Sequence, residues 1–185
     1  MKSPVSVIKK EHLLKGRIFD LERDTLKFPN GYVLALELIK HPGASAVVPL
    51  LDENTFLLIR QYRHAIGDYI FEIPAGTLSR GEDHYTCALR ELEEETGFKA
   101  DKLVYLGKIY PLPGYSDETI HLYLAEGLTK TAQRLDGDEI LDLRPISVQK
   151  TYQMILKGEI VDAKSICGIF KAISHLRGKE CCFGE

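Results

Sequence analysis

The sequence predicts an α/β fold, a mixed β-sheet covered by helices on its faces. Three observations carry that expectation. Strand-like apolar runs fill most of the first seventy positions, a strongly helical segment follows, and strand-like runs then return before two more helical stretches. The chain of 185 residues is 44% apolar and 28% charged, the balance of a globular domain that buries a core without metal or disulfide staples.

Between residues 15 and 40, two apolar runs flank Pro29-Asn30-Gly31, whose Asn-Gly pair supplies the positive φ of a tight hairpin. Residues 44–63 repeat the pattern around the turn-forming Asp52-Glu53-Asn54 and read as a second hairpin. The break at His41-Pro42-Gly43 sets the expected boundary between an N-terminal β-sheet extension, residues 1–43, and a main domain, residues 44–185. Over 81–96, Tyr85, Ala88, Leu89 and Leu92 recur at helical spacing, and Gly97 stands where a helix C-cap belongs. Strands are expected at 102–110, 119–128 and 140–146, and a helix over 147–159. A last helix is expected over 163–176, where Ile166, Ile169, Phe170 and Ile173 form an i, i+3, i+4, i+7 stripe.

Composition also excludes function classes. Apolar runs are too short for a bilayer, and the N-terminus lacks an apolar stretch followed by a small-residue cleavage site, so a cytoplasmic protein without membrane contact is expected. Net charge is −3 with Lys and Arg dispersed, which leaves no basic stripe for extended nucleic acid. Cys87, Cys167, Cys181 and Cys182 form no C-x-x-C pair and are expected to be reduced thiols. His64, His84 and His121 are expected in exposed or satisfied core positions rather than as ligands.

The chemistry concentrates in residues 76–98. On a helix, Glu91 and Glu95 project about 40° apart and Glu94 about 60° to the other side of Glu91, so three carboxylates share one face. They repel one another, and their place near a helix C-terminus also opposes the macrodipole. A hard divalent cation would offset that cost, because Mg²⁺ prefers carboxylate oxygens, and Arg90 is placed to anchor one carboxylate through a bidentate pair. A solvated glutamate-rich helix surface is the competing reading of a bare E-x-x-E-E.

The wider pattern decides between them. Gly76, Glu82, Arg90, Glu91, Leu92, Glu94, Glu95, Gly97 and Phe98 match G-x5-E-x7-R-E-U-x-E-E-x-G-U, with U a bulky apolar residue, at every fixed position. A chance match is roughly a one-in-a-million event. This is the Nudix box, and the chain resembles the Nudix hydrolases. The resemblance implies an α/β/α sandwich with a mixed β-sheet, here joined to a small N-terminal antiparallel β-sheet.

It also implies roles. Glu91 and Glu95 would be metal ligands, Glu94 a ligand or a partner of the ligands, and the Ala75 carbonyl a further oxygen, for Mg²⁺ with Mn²⁺ as the alternative. Arg90 and Glu82 would hold the box helix in place, and Glu139, Glu94 and Arg90 are the candidate catalytic residues. Residues 60–76 and 111–128, with Pro113 fifteen positions past Phe98, resemble the ADP-ribose pyrophosphatase and sugar-nucleotide hydrolase branch. Within it, Arg63 would contact the diphosphate, Glu72 the nucleobase or ribose, and Glu118 the terminal sugar, with Arg60 a further substrate residue. A general base is expected on the acidic turn 135–140, where Glu139 is preferred and Asp138 and Asp136 are alternatives. The N-terminal sheet would pack across a homodimer, with Phe19, Phe28 or Tyr32 available to stack on a base.

The expected substrate is thus a small nucleoside diphosphate sugar, ADP-ribose first, with GDP-mannose as the alternative. A non-catalytic nucleotide-sensing Nudix module is the alternative of another class.

Overall fold

The computed structural model describes residues 4–135, 137 and 139–180; Cys181, Cys182, Asp136 and Asp138 lie outside them. The chain forms two compact units, Met1–Gly43 with Tyr110–Thr119, and Ala44–Ile109 with Ile120–Glu185.

In the first unit, β2 (Asp20–Lys27) and β3 (Val33–Lys40) form the hairpin expected at Asn30-Gly31. Gly31 sits at φ 85°, a conformation a Cβ would disfavour, and its amide donates to the Phe28 carbonyl at 2.9 Å. A third strand, β1 (Ser6–Lys15), pairs antiparallel with β2. Sequence periodicity does not show β1, because bulges between Val7 and Lys9 and between His12 and Leu14 break its alternation. Segment 110–119 joins this unit through a parallel bridge of Ser116 to Ile39 and an ion pair of Lys40 with Asp117.

The second unit holds a seven-stranded sheet in the order β10-β5-β4-β9-β8. Its strands are β4 (Ala44–Asp52), β5 (Thr55–Arg63), β6 (Asp68–Glu72), β7 (Ala75–Thr77), β8 (Phe98–Ile109), β9 (Ile120–Lys130) and β10 (Leu141–Ser147). The expected second hairpin forms only at its turn, where Leu50 faces Phe56 and Asp52 faces Thr55. Beyond that point β7 takes the place of β5 beside Ala44–Ala46. Along its other edge β4 runs parallel to β9, and this makes the sheet mixed. Helical spacing does not reveal β6 and β7, which are short and separated by Pro74.

Alternation along the central strands divides the core in two. Ala46, Val48, Leu122 and Leu124 point to one face, where they pack with Met154 of α2 (Val148–Leu156) and Ile169, Ala172 and Ile173 of α3 (Ala163–Glu180). Val47, Tyr123 and Ala125 point to the other and meet Ala88 and Leu92 of α1 (His84–Thr96). Each fully buried Leu or Ile on these faces contributes about 1.5–3 kcal/mol. A Cβ on Gly168 would lie 2.8 Å from Ile73 Cδ1 and 3.3 Å from Val48 Cγ2, so glycine lets α3 lie close against the sheet. The expected α/β/α sandwich and small antiparallel sheet are thus the architecture found. Among the described residues no helix is long and apolar enough to cross a membrane.

Candidate active site

Helix α1 is fixed at both ends. Asp83 is its N-cap, accepting from the Tyr85 amide at 2.9 Å and the Thr86 amide at 3.0 Å. At the other end Gly97 adopts φ 69° and its amide donates to the Glu93 carbonyl at 2.8 Å. The chain leaving β9 then satisfies two more terminal carbonyls. The Arg134 amide donates to Glu94 O at 2.8 Å, and Gln133 Nε2 donates to Glu95 O at 2.5 Å. Those contacts hold Gln133 and Arg134 against the C-terminal turn of the glutamate helix.

Arg90 gathers the acidic side chains. Its Nε and one terminal nitrogen bind Glu82 in a bidentate pair at 2.9 Å each, and its other terminal nitrogen reaches Glu91 at 2.6 Å and Glu94 at 3.0 Å. The bidentate partner is therefore Glu82 rather than one of the trio. These partners, Glu82 first, raise the Arg90 pKa above its ordinary value. Burial and the Glu91 charge push the nearby Cys87 thiol up to about 11, so it is an unreactive thiol.

Glu91 and Glu95 are 8% and 2% exposed. Burial raises the Glu91 pKa, with Glu94 and Glu139 adding to it and Arg90 opposing. Glu95 is raised further, by burial first and then by the charges of Glu91 and Glu139. Its Oε2 accepts from the Ala75 amide at 3.0 Å, so the Ala75 contact present here is made through nitrogen. A Cβ on Gly76 would lie 1.8 Å from Glu91 Oε1, and only glycine leaves room for that carboxylate. The half-buried Glu139 thus contributes its charge to both buried glutamates from a segment more than forty residues away in sequence.

Among the described residues no three His, Cys, Asp or Glu side chains converge in an arrangement that holds a metal ion. Arg90 draws Glu91 and Glu94 toward itself while Glu95 turns to the Ala75 amide. The donor chemistry nevertheless suits a hard divalent cation. Two desolvated, mutually repelling carboxylates beside a glycine cradle lack enough positive charge of their own, and carboxylate oxygens are what such an ion takes.

A second polar cluster lies on the α3 side of the sheet. Arg63 binds Glu72 through both oxygens, at 2.6 and 2.7 Å, and Lys164 binds one of the same oxygens. Glu72 is 1% exposed, yet Arg63 and Lys164 overcome the effect of burial and hold its pKa below the ordinary value. Contact with a nucleobase or ribose, the role resemblance gives Glu72, would need oxygens already taken by protein cations. Lys164 also meets Asp162 at 3.0 Å, and Asp162 accepts from the Ser165 amide at 2.9 Å at the start of α3. Arg63 and Glu95 influence each other's titration, so this cluster lies within electrostatic reach of the glutamate helix.

Other candidates fall elsewhere. Arg60 stacks over the Tyr69 ring, 4.6 Å from its centroid. Glu118 belongs to the first unit, where its carboxylate is 3.9 Å from His41 Nδ1 and its amide donates to Ser116 Oγ at 3.1 Å. Phe19 and Tyr32 are exposed, and Phe28 lies 5.9 Å from Tyr32 between ring centroids. His84 and His121 stack at 3.9 Å among Tyr105 and Tyr123. Sequence reasoning missed Asp162, Lys164 and Ser165. The signal was present, since an Asp immediately before an apolar helical stripe marks an N-cap.

Comparison with known proteins places the chain in a family. Residues 40–167 match the model of the NUDIX domain. The chain is 41% identical to a methanol dehydrogenase activator of Bacillus methanolicus, over 88% of this chain and 89% of that one. It is 38% identical to an ADP-ribose pyrophosphatase of Bacillus subtilis (strain 168), over 94% of this chain and 92% of that one. A crystal structure of an ADP compounds hydrolase superposes with a TM-score of 0.85 at 25% identity, covering 96% of each chain. With an intact box on a helix of the matching fold, this chain belongs to the NUDIX domain family.

Proposed function

We propose that this Nudix pyrophosphohydrolase cuts the pyrophosphate bond of ADP-ribose, giving AMP and ribose 5-phosphate, with Mg²⁺ as its cofactor and Mn²⁺ as a substitute. The observation that carries the reading is the pair of buried carboxylates Glu91 and Glu95, both reached by the charge of Glu139, with the Arg63 charge reaching Glu95. Glu91, Glu95 and Glu94 would hold the cation, with the Ala75 carbonyl as a further ligand. When bound, such an ion neutralises phosphoryl oxygens and makes a coordinated water more acidic.

The chain's own residues do the rest. Arg63 binds the diphosphate, and Glu72 orients Arg63. Glu139 takes a proton from the attacking water as the new P–O bond forms and the bond to the bridging oxygen breaks, leaving one phosphate on each product. Arg90 keeps Glu82, Glu91 and Glu94 in register. In the first unit, the exposed Val7, Ile8, Leu14, Ile18 and Val33 support a homodimer built through the N-terminal extension, because a small sheet with bare apolar residues needs a partner. Glu118 and Arg60 are the proposed contacts to the rest of the substrate.

The test is a Mg²⁺ activity panel of ADP-ribose, GDP-mannose, UDP-glucose, NADH and diadenosine polyphosphates, with ¹⁸O-water to locate the attacked phosphorus. ADP-ribose is expected to give the highest kcat/KM; preference for GDP-mannose would replace the substrate while keeping the chemistry. A second reading, control of a partner enzyme, is favoured by the name of the Bacillus methanolicus relative. Absence of Mg²⁺-dependent nucleoside monophosphate release from every substrate would select it.

A further inference from the structure

The Arg63–Glu72 pair raises a difficulty for phosphate binding. A guanidinium held bidentately by one buried carboxylate forms a neutral pair, with little net charge left to offer an anionic substrate. Lys164 changes that sum. It places a second cation on Glu72 Oε2, and two positive charges against one negative leave the trio at +1.

Lys164 is not a passing surface contact. Its side chain is 13% exposed, and the start of α3 fixes its place. Asp162 contacts it at 3.0 Å and at the same time accepts from the Ser165 amide and hydroxyl, at 2.9 and 2.5 Å. Ser165 Oγ in turn accepts from the Ile73 amide at 2.8 Å, the residue next to Glu72 in sequence. One hydrogen-bonded path through Asp162, Ser165 and Ile73 therefore sets where the ammonium meets the carboxylate. Asp162 brings the formal charge of the four groups to zero and its charge reaches Arg63, so without Lys164 the cluster would stand at −1. A long, flexible side chain is thereby ordered before substrate arrives, which lowers the entropic cost of binding.

We propose that Lys164 is a positioning residue for substrate binding, taking up part of the Glu72 charge so that more of the Arg63 charge is left for the diphosphate. The proposal rests on the reading that Arg63 faces the diphosphate.

Lys164→Met removes the charge at similar length, Lys164→Gln keeps a hydrogen bond to Glu72 without charge, and Lys164→Arg keeps the charge. Each variant is compared with the unmodified chain in two assays, at a temperature where circular dichroism shows it folded. The first is steady-state hydrolysis of ADP-ribose with Mg²⁺. The second is calorimetric binding of inorganic pyrophosphate in EDTA, which needs no turnover.

Lys164→Met and Lys164→Gln are expected to raise KM and weaken pyrophosphate binding about tenfold, with kcat changed less than about threefold, while Lys164→Arg stays within about threefold of the original. A purely structural role would lower the melting temperature of the variants without moving KM or pyrophosphate affinity. That result, a failure of Lys164→Arg to rescue, or no pyrophosphate binding by the unmodified chain would overturn the proposal. If the unmodified chain does not hydrolyse ADP-ribose but the variants still bind pyrophosphate more weakly, the substrate reading fails and the role of Lys164 stands.

Discussion

Glu72 and Glu95 are both almost fully buried carboxylates in the same unit, and their environments drive them in opposite directions. Glu72 has two protein cations on its oxygens and titrates below its ordinary value. Glu95 has one amide, two neighbouring glutamates and a more distant arginine, and it titrates well above. Burial is common to both, so counter-charge decides the outcome. The chain supplies the counter-charge of Glu72 itself, whereas under the proposed function the counter-charge of Glu95 would come from a bound cation.

The largest effect should come from neutralising the second region. Glu95→Gln is expected to lower kcat/KM for ADP-ribose about 10³-fold or more while the protein stays folded, because the change removes a proposed cation ligand while the Gln oxygen can still accept from the Ala75 amide. Retention of activity within about tenfold would place the essential carboxylate elsewhere. Next comes Glu139→Gln, for which kcat should fall about 10²-fold with little change in KM, as loss of proton transfer requires. Near-normal turnover would move the base to another residue of the turn. Gly76→Ala sharpens the geometry, since its new methyl group must displace the Glu91 carboxylate. A loss of about 10- to 100-fold in kcat is expected with the fold retained by circular dichroism, and unchanged kinetics would show that Glu91's position is not critical.

Smallest in size but most direct for the comparison is the pH dependence of melting in EDTA. The folded-state pKa of Glu95 is raised, so the cost to stability is full above the folded value, shrinks as pH falls below it, and is gone below the unfolded value of about 4.3. Glu95→Gln should therefore melt a few degrees higher at neutral pH, about 2–4 °C per kcal/mol, with the advantage fading in acid. Glu72 is the reverse case. Its lowered pKa means a stabilising contribution that is fully present above the unfolded value of about 4.3 and lost as pH falls through the folded one. Glu72→Gln should melt lower at neutral pH and approach the original chain in acid; curves of the same sign for both variants would dissolve the contrast.

The two regions also differ in how far the sequence reveals them. The glutamate helix was legible because its chemistry is local: nine positions from Gly76 to Phe98 lie in one continuous stretch around α1, and helical spacing puts Glu91, Glu94 and Glu95 on one face. The α3 cluster was half legible. Arg63 and Glu72 stood out by resemblance, but Lys164 is 92 residues from Glu72 and meets it only because Asp162 and Ser165 pin α3 to the strand end. Strand pairing was hidden for a related reason. Adjacent runs such as 44–52 and 55–63 read as a simple hairpin, and nothing local states that β4 will spend most of its length beside β7 and β9.

The most direct test of the account is a crystal structure with Mg²⁺ and a non-hydrolysable ADP-ribose analogue. The account predicts a cation bound by Glu91 and Glu95 next to the analogue's two linked phosphates, with Arg63 on a phosphate oxygen and Lys164 still on Glu72. Phosphates and cation bound away from α1, with Glu91 and Glu95 still turned to Arg90 and Ala75, would contradict it.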